Sequence, residues 1–77
     1  MNDQVLSFGE KAVGLSFNPS GDPNVKLIKE GFARIIDTLH GLRTNHFASD
    51  EEKRMYSIAI TEAQSAQMWA VKAATWR

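Results

Sequence analysis

The chain contains no cysteine, so neither a disulfide framework nor a thiolate metal site is available to it. Charge of one sign is also missing: nine basic residues face nine acidic ones, leaving no global field to grip a DNA or RNA polymer or an anionic membrane. The first residues, MNDQVLSFGE, lack a basic stretch followed by an apolar run, which points away from a signal peptide and toward the cytosol. No run is apolar enough for lipid; the best candidate, in the last third, is broken by Thr61, Glu62, Gln64, Ser65, Gln67 and Lys72. At 77 residues the chain is one domain near the size at which a single core barely outweighs chain entropy. With disulfides and thiolate-bound metal excluded, association between copies is the remaining supplement.

What is present is helical. Residues 1–21 read as a short N-terminal helix ending at Gly14, followed by the loop LSFNPSGDP, where Pro19 and Pro23 disfavour helix at the residues before them. Residues 22–43 read as the first long helix, with Asp22 as N-cap and Pro23 at N1. Its apolar residues Val25, Ile28, Phe32, Ile35, Leu39 and Leu42 step by three and four, which predicts the pairing seam. Lys26, Glu30, Arg34 and Asp37 lie opposite and read as a solvated face. Gly31 costs about 1 kcal/mol inside a helix, and so predicts close approach of another backbone or a ligand.

Residues 49–76 read as the second long helix, opened by Ser49 and Glu52 as a capping box. The short link TNHFA folds the two helices antiparallel. Ala59, Ala63, Ala66, Ala70 and Ala73 form one small-residue stripe, while Met55, Ile58, Glu62, Ser65, Trp69, Lys72 and Trp76 carry bulk elsewhere. Between Met55 and Trp76 the only formal charges are Glu62 and Lys72, and so uncharged a helix is ordinarily buried on more than one side. One partner helix cannot cover it. The fold class is therefore all-α, an antiparallel helical hairpin with a short N-terminal helix, assembling into a homo-oligomer.

Catalytic sets are missing. His40 and His46 flank the turn and read as solvated; no HExxH pattern exists, and SFNPSG lacks the arrangement of a phosphate loop. The chain offers instead flat rings and cations near its ends: Phe8, Phe17, Trp69, Trp76, Lys11, Lys26, Lys29, Lys72 and Arg77. Aromatic planes stack purine bases and cations bind phosphate, which suits a compact nucleotide. The same aromatics also suit an oligomer core.

From FGEKAVGLSFNPSGD through VKLIKEGFARIID to SIAITEAQSAQMWAVKAATW, the sequence resembles the bacteriophage anti-CBASS protein two family, small hairpin proteins that sequester cyclic oligonucleotide signals. Arg54, Thr61, Met68 and Lys72 stand at that family's relative spacing. The resemblance implies a homohexamer in the cytoplasm of an infected bacterial host. It implies that cyclic dinucleotides such as 3′,3′-cGAMP and cyclic trinucleotides are held intact in separate pockets, with no cofactor.

The family places an aromatic of the N-terminal segment and a lysine of the first long helix on the cyclic dinucleotide. Phe8 and Phe17 compete for the first role; Lys29, in LIKEG, matches the second best, with Lys26 one turn earlier as the alternative. Trp76 and Arg77 then become a base platform and a phosphate partner for the same ligand, while Trp69 and the alanines serve assembly. Arg54 and Thr61 are assigned to the cyclic trinucleotide, although Thr61 can equally bond back to the Ser57 carbonyl. A structural or adaptor oligomer without a nucleotide ligand is the competing function.

Overall fold

The computed structural model describes residues 5–77 as three helices: α1 (Phe8–Ala12), α2 (Pro23–Arg43) and α3 (Asp50–Ala74). Local chemistry sets their starts. Asp22 accepts from the Asn24 amide at 2.8 Å with Pro23 in the first turn of α2. Ser49 and Glu52 exchange bonds across the first turn of α3, the Glu52 amide donating to Ser49 Oγ at 3.1 Å and the Ser49 amide to Glu52 Oε1 at 2.6 Å. The same reciprocal pair, Ser7 and Glu10, opens α1. α3 closes at Ala74, short of the expected end at residue 76. The Thr75 hydroxyl bonds back to the Val71 carbonyl at 2.8 Å as its backbone turns out of the helix, leaving Trp76 and Arg77 beyond it.

The core lies where all three helices meet. Val13, just past α1, joins Ala33 and Ile36 of α2 and Ile60 of α3, with Phe32, Leu39, Leu15 and Ala63 packed around them. Ile36 is fully buried, at 0% exposure. This corrects the expected seam: the buried line of α2 is Val25, Lys29, Ala33 and Ile36, while Ile35 and Leu42 are exposed. The cause is that α2 receives α1 as well as α3, so the line of deepest burial falls between two contact faces rather than along one.

α1 crosses α2 at Gly9. A β-carbon there would overlap the carbonyl oxygen of Ala33 and lie 2.9 Å from Asp37 Oδ1, so only glycine permits the approach. Asp37, read from sequence as part of a solvated face, receives the start of α1: Ser7 Oγ donates to Oδ2 and the Gly9 amide to Oδ1, both at 2.7 Å. Close approach is thus at Gly9 and not at Gly31, where an added β-carbon would meet only the Arg34 side chain at 4.0 Å.

On α3, Ile60 and Gln67 are buried, Ile60 against Ala33 and Ile36 of α2, whereas Ala66 and Ala73 of the expected small-residue stripe are exposed. Met55, Ile58, Met68 and Trp69 are exposed too. No helix among the described residues is long and apolar enough to cross a membrane.

Candidate functional site

Three groups of rings and cations are built on this frame. The first is at the loop after α1. Gly14 takes φ +63°, which turns the chain so that the Phe17 amide donates to the Gly14 carbonyl at 2.9 Å. Lys29 reaches this turn from the inner face of α2. Its Nζ donates to the Gly14 carbonyl at 2.9 Å and to the Phe17 carbonyl, and lies 5.5 Å from the centre of the Phe17 ring. Lys29 is only 6% exposed and Phe17 is 72% exposed. Lys26, also exposed, lines a recess of about 380 Å³ with Leu6, Leu15, Ser16, Asn18 and Glu30.

Phe8 belongs to a second group. Its ring stacks on His40 at 4.1 Å and 10°, and the Arg43 guanidinium lies 5.3 Å from its centre. Arg43 bridges His40 Nδ1 at 2.7 Å and Ser57 Oγ at 3.2 Å. Because a guanidinium has no acceptor, His40 Nδ1 is the acceptor and the ring proton of neutral His40 sits on Nε2. His40, expected to be a solvated turn residue, is therefore the packing partner that ties α1 to α2. His40 and Lys29 lie about 16 Å apart along α2 at a helical rise of about 1.5 Å per residue, so Phe8 and Phe17 occupy different places.

The third group is at the end of α3. Trp69, Lys72, Ala73 and Trp76 line an open, apolar groove of about 500 Å³. Lys72 Nζ lies 5.4 Å from one indole and 5.9 Å from the other, and the two rings are 68% and 70% exposed. Arg77 bonds through Nη1 to the Trp76 carbonyl at 2.9 Å. Trp69, expected to serve assembly, and Trp76, expected to meet a ligand, share one groove with Lys72. Trp69 and Lys72, three residues apart, share a face of α3, and the turn past Ala74, in which the Trp76 amide donates to the Ala73 carbonyl at 3.2 Å, brings the second indole beside them.

Arg54 and Thr61 stand elsewhere on α3, both exposed. Arg54 holds Glu51 in a two-pronged ion pair, Nε to Oε1 at 3.0 Å and Nη2 to Oε2 at 2.7 Å. The pairing holds the Glu51 carboxyl below the usual range and raises the Arg54 guanidinium further. Thr61 Oγ1 donates to the Ser57 carbonyl at 3.2 Å, so toward any ligand its hydroxyl presents acceptor lone pairs alone.

The recess at Lys26, the stack at Phe8 and the groove at Trp76 have no lining residue in common. Among the described residues no three histidine, aspartate or glutamate side chains converge as a metal site would require.

No curated protein and no solved structure matches the chain. The sequence profile of the Acb2/Tad1 hairpin domain matches residues 10–75, which takes in all of α2 and α3 and the end of α1. Phe17, Lys26, Lys29, Arg54, Thr61, Met68 and Lys72 fall inside the match; Phe8, Trp76 and Arg77 fall outside it. With most of its length and both long helices covered, the chain belongs to the Acb2/Tad1 hairpin family, the anti-CBASS family that its sequence resembles.

Proposed function

We propose that several copies of this hairpin assemble, as a hexamer, into a phage sponge. It would bind cyclic di- and trinucleotides in the cytoplasm of an infected cell and keep them, unhydrolysed, from the host's CBASS effector. The supporting observation is the separation of parts. The Phe17 ring lies near Lys29, with its neighbours Ser16 and Asn18 lining a recess that holds Lys26, and the Trp76 ring lies near Lys72 with Arg77 next in sequence; each is an exposed ring with a cation close by, incomplete alone. A cyclic dinucleotide presents two bases and two phosphodiesters. Two such half-sites from different copies supply two stacking planes and the matching positive charge. The large apolar residues left uncovered, Leu27, Ile35, Leu42, Met55, Ile58 and Met68, support burial between copies. Arg54 and Thr61 form the trinucleotide site, where a phosphate replaces the Glu51 carboxylate on Arg54.

Titrating the purified protein with 3′,3′-cGAMP and a cyclic triadenylate, alongside a mass measurement of the assembly, tests the reading. Binding of intact ligand by a multimer supports it. A monomer that ignores both ligands sinks it, and a multimer that ignores both favours an adaptor.

The tail assignment has its own test. A base stacked on an indole contributes about 1–3 kcal/mol, so Trp76→Ala should weaken cyclic dinucleotide binding by roughly 5- to 150-fold while assembly mass and helix content stay unchanged. Unchanged affinity removes Trp76 from the site.

A further inference from the structure

Ile28, Ile35 and Leu42 of α2 recur every seven residues with Gly31 and Thr38 between them, and α1 docks on another side of the helix, at Ala33 and Asp37. Ile35 and Leu42 are exposed and Ile28 is half-buried. At the hairpin turn Leu42 shares a recess with Tyr56 of α3, which sets the neighbouring line on that helix. From Tyr56, steps of three and four lead through Ala59, Ala63, Ala66 and Ala70 along the same side of the hairpin. Neither line holds a formal charge, and neither contributes to the three groups of rings and cations. This side thus presents an aliphatic ridge beside a trough of alanines. We infer that a second copy of the chain docks here, the ridge of each copy lying in the trough of the other about a two-fold axis that runs along the helices. The inference rests on the assembly part of the sponge reading and gives it a surface.

The face fits its own copy. Rotation about such an axis carries α2 of one chain over α3 of the other, so ridge meets trough twice, and each residue keeps its level along the hairpin. Within one chain Ile36 packs with Ile60 and Ala63. Ile35 of one copy therefore comes to the level of Ala63 in the other, and Gly31, one turn away, to the level of Ala66. Two residues this small let the backbones close. The same contact accounts for a glycine that nothing inside the chain requires, since an added β-carbon at Gly31 would meet only the Arg34 side chain, at 4.0 Å. Lack of charge matters too, because the axis would hold any charge on the face near its own copy without a partner. The area is sufficient: the chain exposes 5610 Å², about 900 Å² more than a compact monomer of its mass, and a stable pair hides about 800 Å² per partner.

Two experiments test the docking without any ligand. Gly31→Leu puts a large side chain between the closing backbones at two places about the axis, so pairing should weaken by about a hundredfold and sedimentation should show smaller species. Helix content should be unchanged, because the single chain has room at Gly31. The second experiment keeps the surface nearly intact. The chain has no cysteine of its own, so chains carrying Gly31→Cys can be co-expressed with chains carrying Ala66→Cys and oxidised. The mixture should form disulfide-joined pairs severalfold faster than either variant alone, whose cysteines sit across the axis from each other.

Undiminished assembly in Gly31→Leu overturns the inference, as do cysteines that join no faster in the mixture than apart. Either result leaves the sponge reading standing on some other interface, provided the unaltered protein assembles and binds 3′,3′-cGAMP. An unaltered protein that sediments as a single chain is a different result, which removes the assembly and this surface together.

Discussion

The two ends of the chain carry similar residues in opposite states. At the N-terminal end the rings are already engaged: Phe8 lies on His40 and near Arg43, Phe17 is tied through its backbone to Lys29, and the arm that bears them is held by Asp37. Around the end of α3, Trp69 and Trp76 flank Lys72 and are largely exposed to solvent. One end is organised by the rest of the fold, and the other is left open to solvent. The difference follows from packing, because α1 adds a third element over α2 while α3 has α2 on one face and open surface elsewhere.

The contrast breaks first at the core. Ile36 is the fully enclosed side chain at the three-helix junction, so Ile36→Ala should lower stability by about 2–5 kcal/mol in denaturant unfolding. If the loss is under 1 kcal/mol, the hairpin is held mainly by contacts between copies, and the N-terminal end is no better organised by its own chain than the tail. A smaller change sharpens the same contrast. Gly9→Ala forces α1 away from the Ala33 carbonyl and stretches the amide bond to Asp37; overpacking of this kind should cost about 1–3 kcal/mol. The Phe8–His40 stack should loosen with it, visible as a shift of the His40 ring resonances, while the indole signals of Trp69 and Trp76 remain in place.

Much of the helix framework was legible from sequence because caps are local. Asp22 with Pro23, and Ser49 with Glu52, announce their helices within four residues. The same rule applied to SFGE would have placed the start of α1 at Ser7. The rotation of the buried line on α2 was not legible, because it depends on α1 docking from some thirty residues upstream. For that reason Asp37 read as solvated and Lys29 as available, although one anchors Ser7 and Gly9 and the other closes the Gly14–Phe17 turn. The partners of Phe8 needed the same distant information, since only the fold brings His40 and Arg43 to its ring. The Trp69, Lys72, Trp76 groove is built from residues close in sequence, and their common stripe was legible, although the end of α3 at Ala74 was not.

The smallest effect is expected from acid, and it lies at the start of α3, far from the tail. The backbone amide of Ser49, and then its hydroxyl, hold the Glu52 carboxyl below the ordinary glutamate range. A group whose value is lower in the folded chain than in the unfolded one adds stability above the unfolded value, about 4.3, and that contribution disappears as pH falls through the folded value. Glu51, lowered by Arg54, acts in the same direction. Both carboxylates are exposed and screened, so the change should be slight and confined to the first turn of α3. Below about pH 4.3, the protection of the amides near Glu52 and Lys53, taken relative to their intrinsic exchange rate at each pH, should fall in the unaltered chain. In Glu52→Gln, whose amide oxygen can still accept from Ser49 but does not titrate in this range, the acid dependence should flatten. The Trp69 indole should register neither change, because Glu51 and Glu52 lie about 25 Å away along α3 at a helical rise of about 1.5 Å per residue; a tail that responds to the same titration would show that the two ends of α3 are coupled.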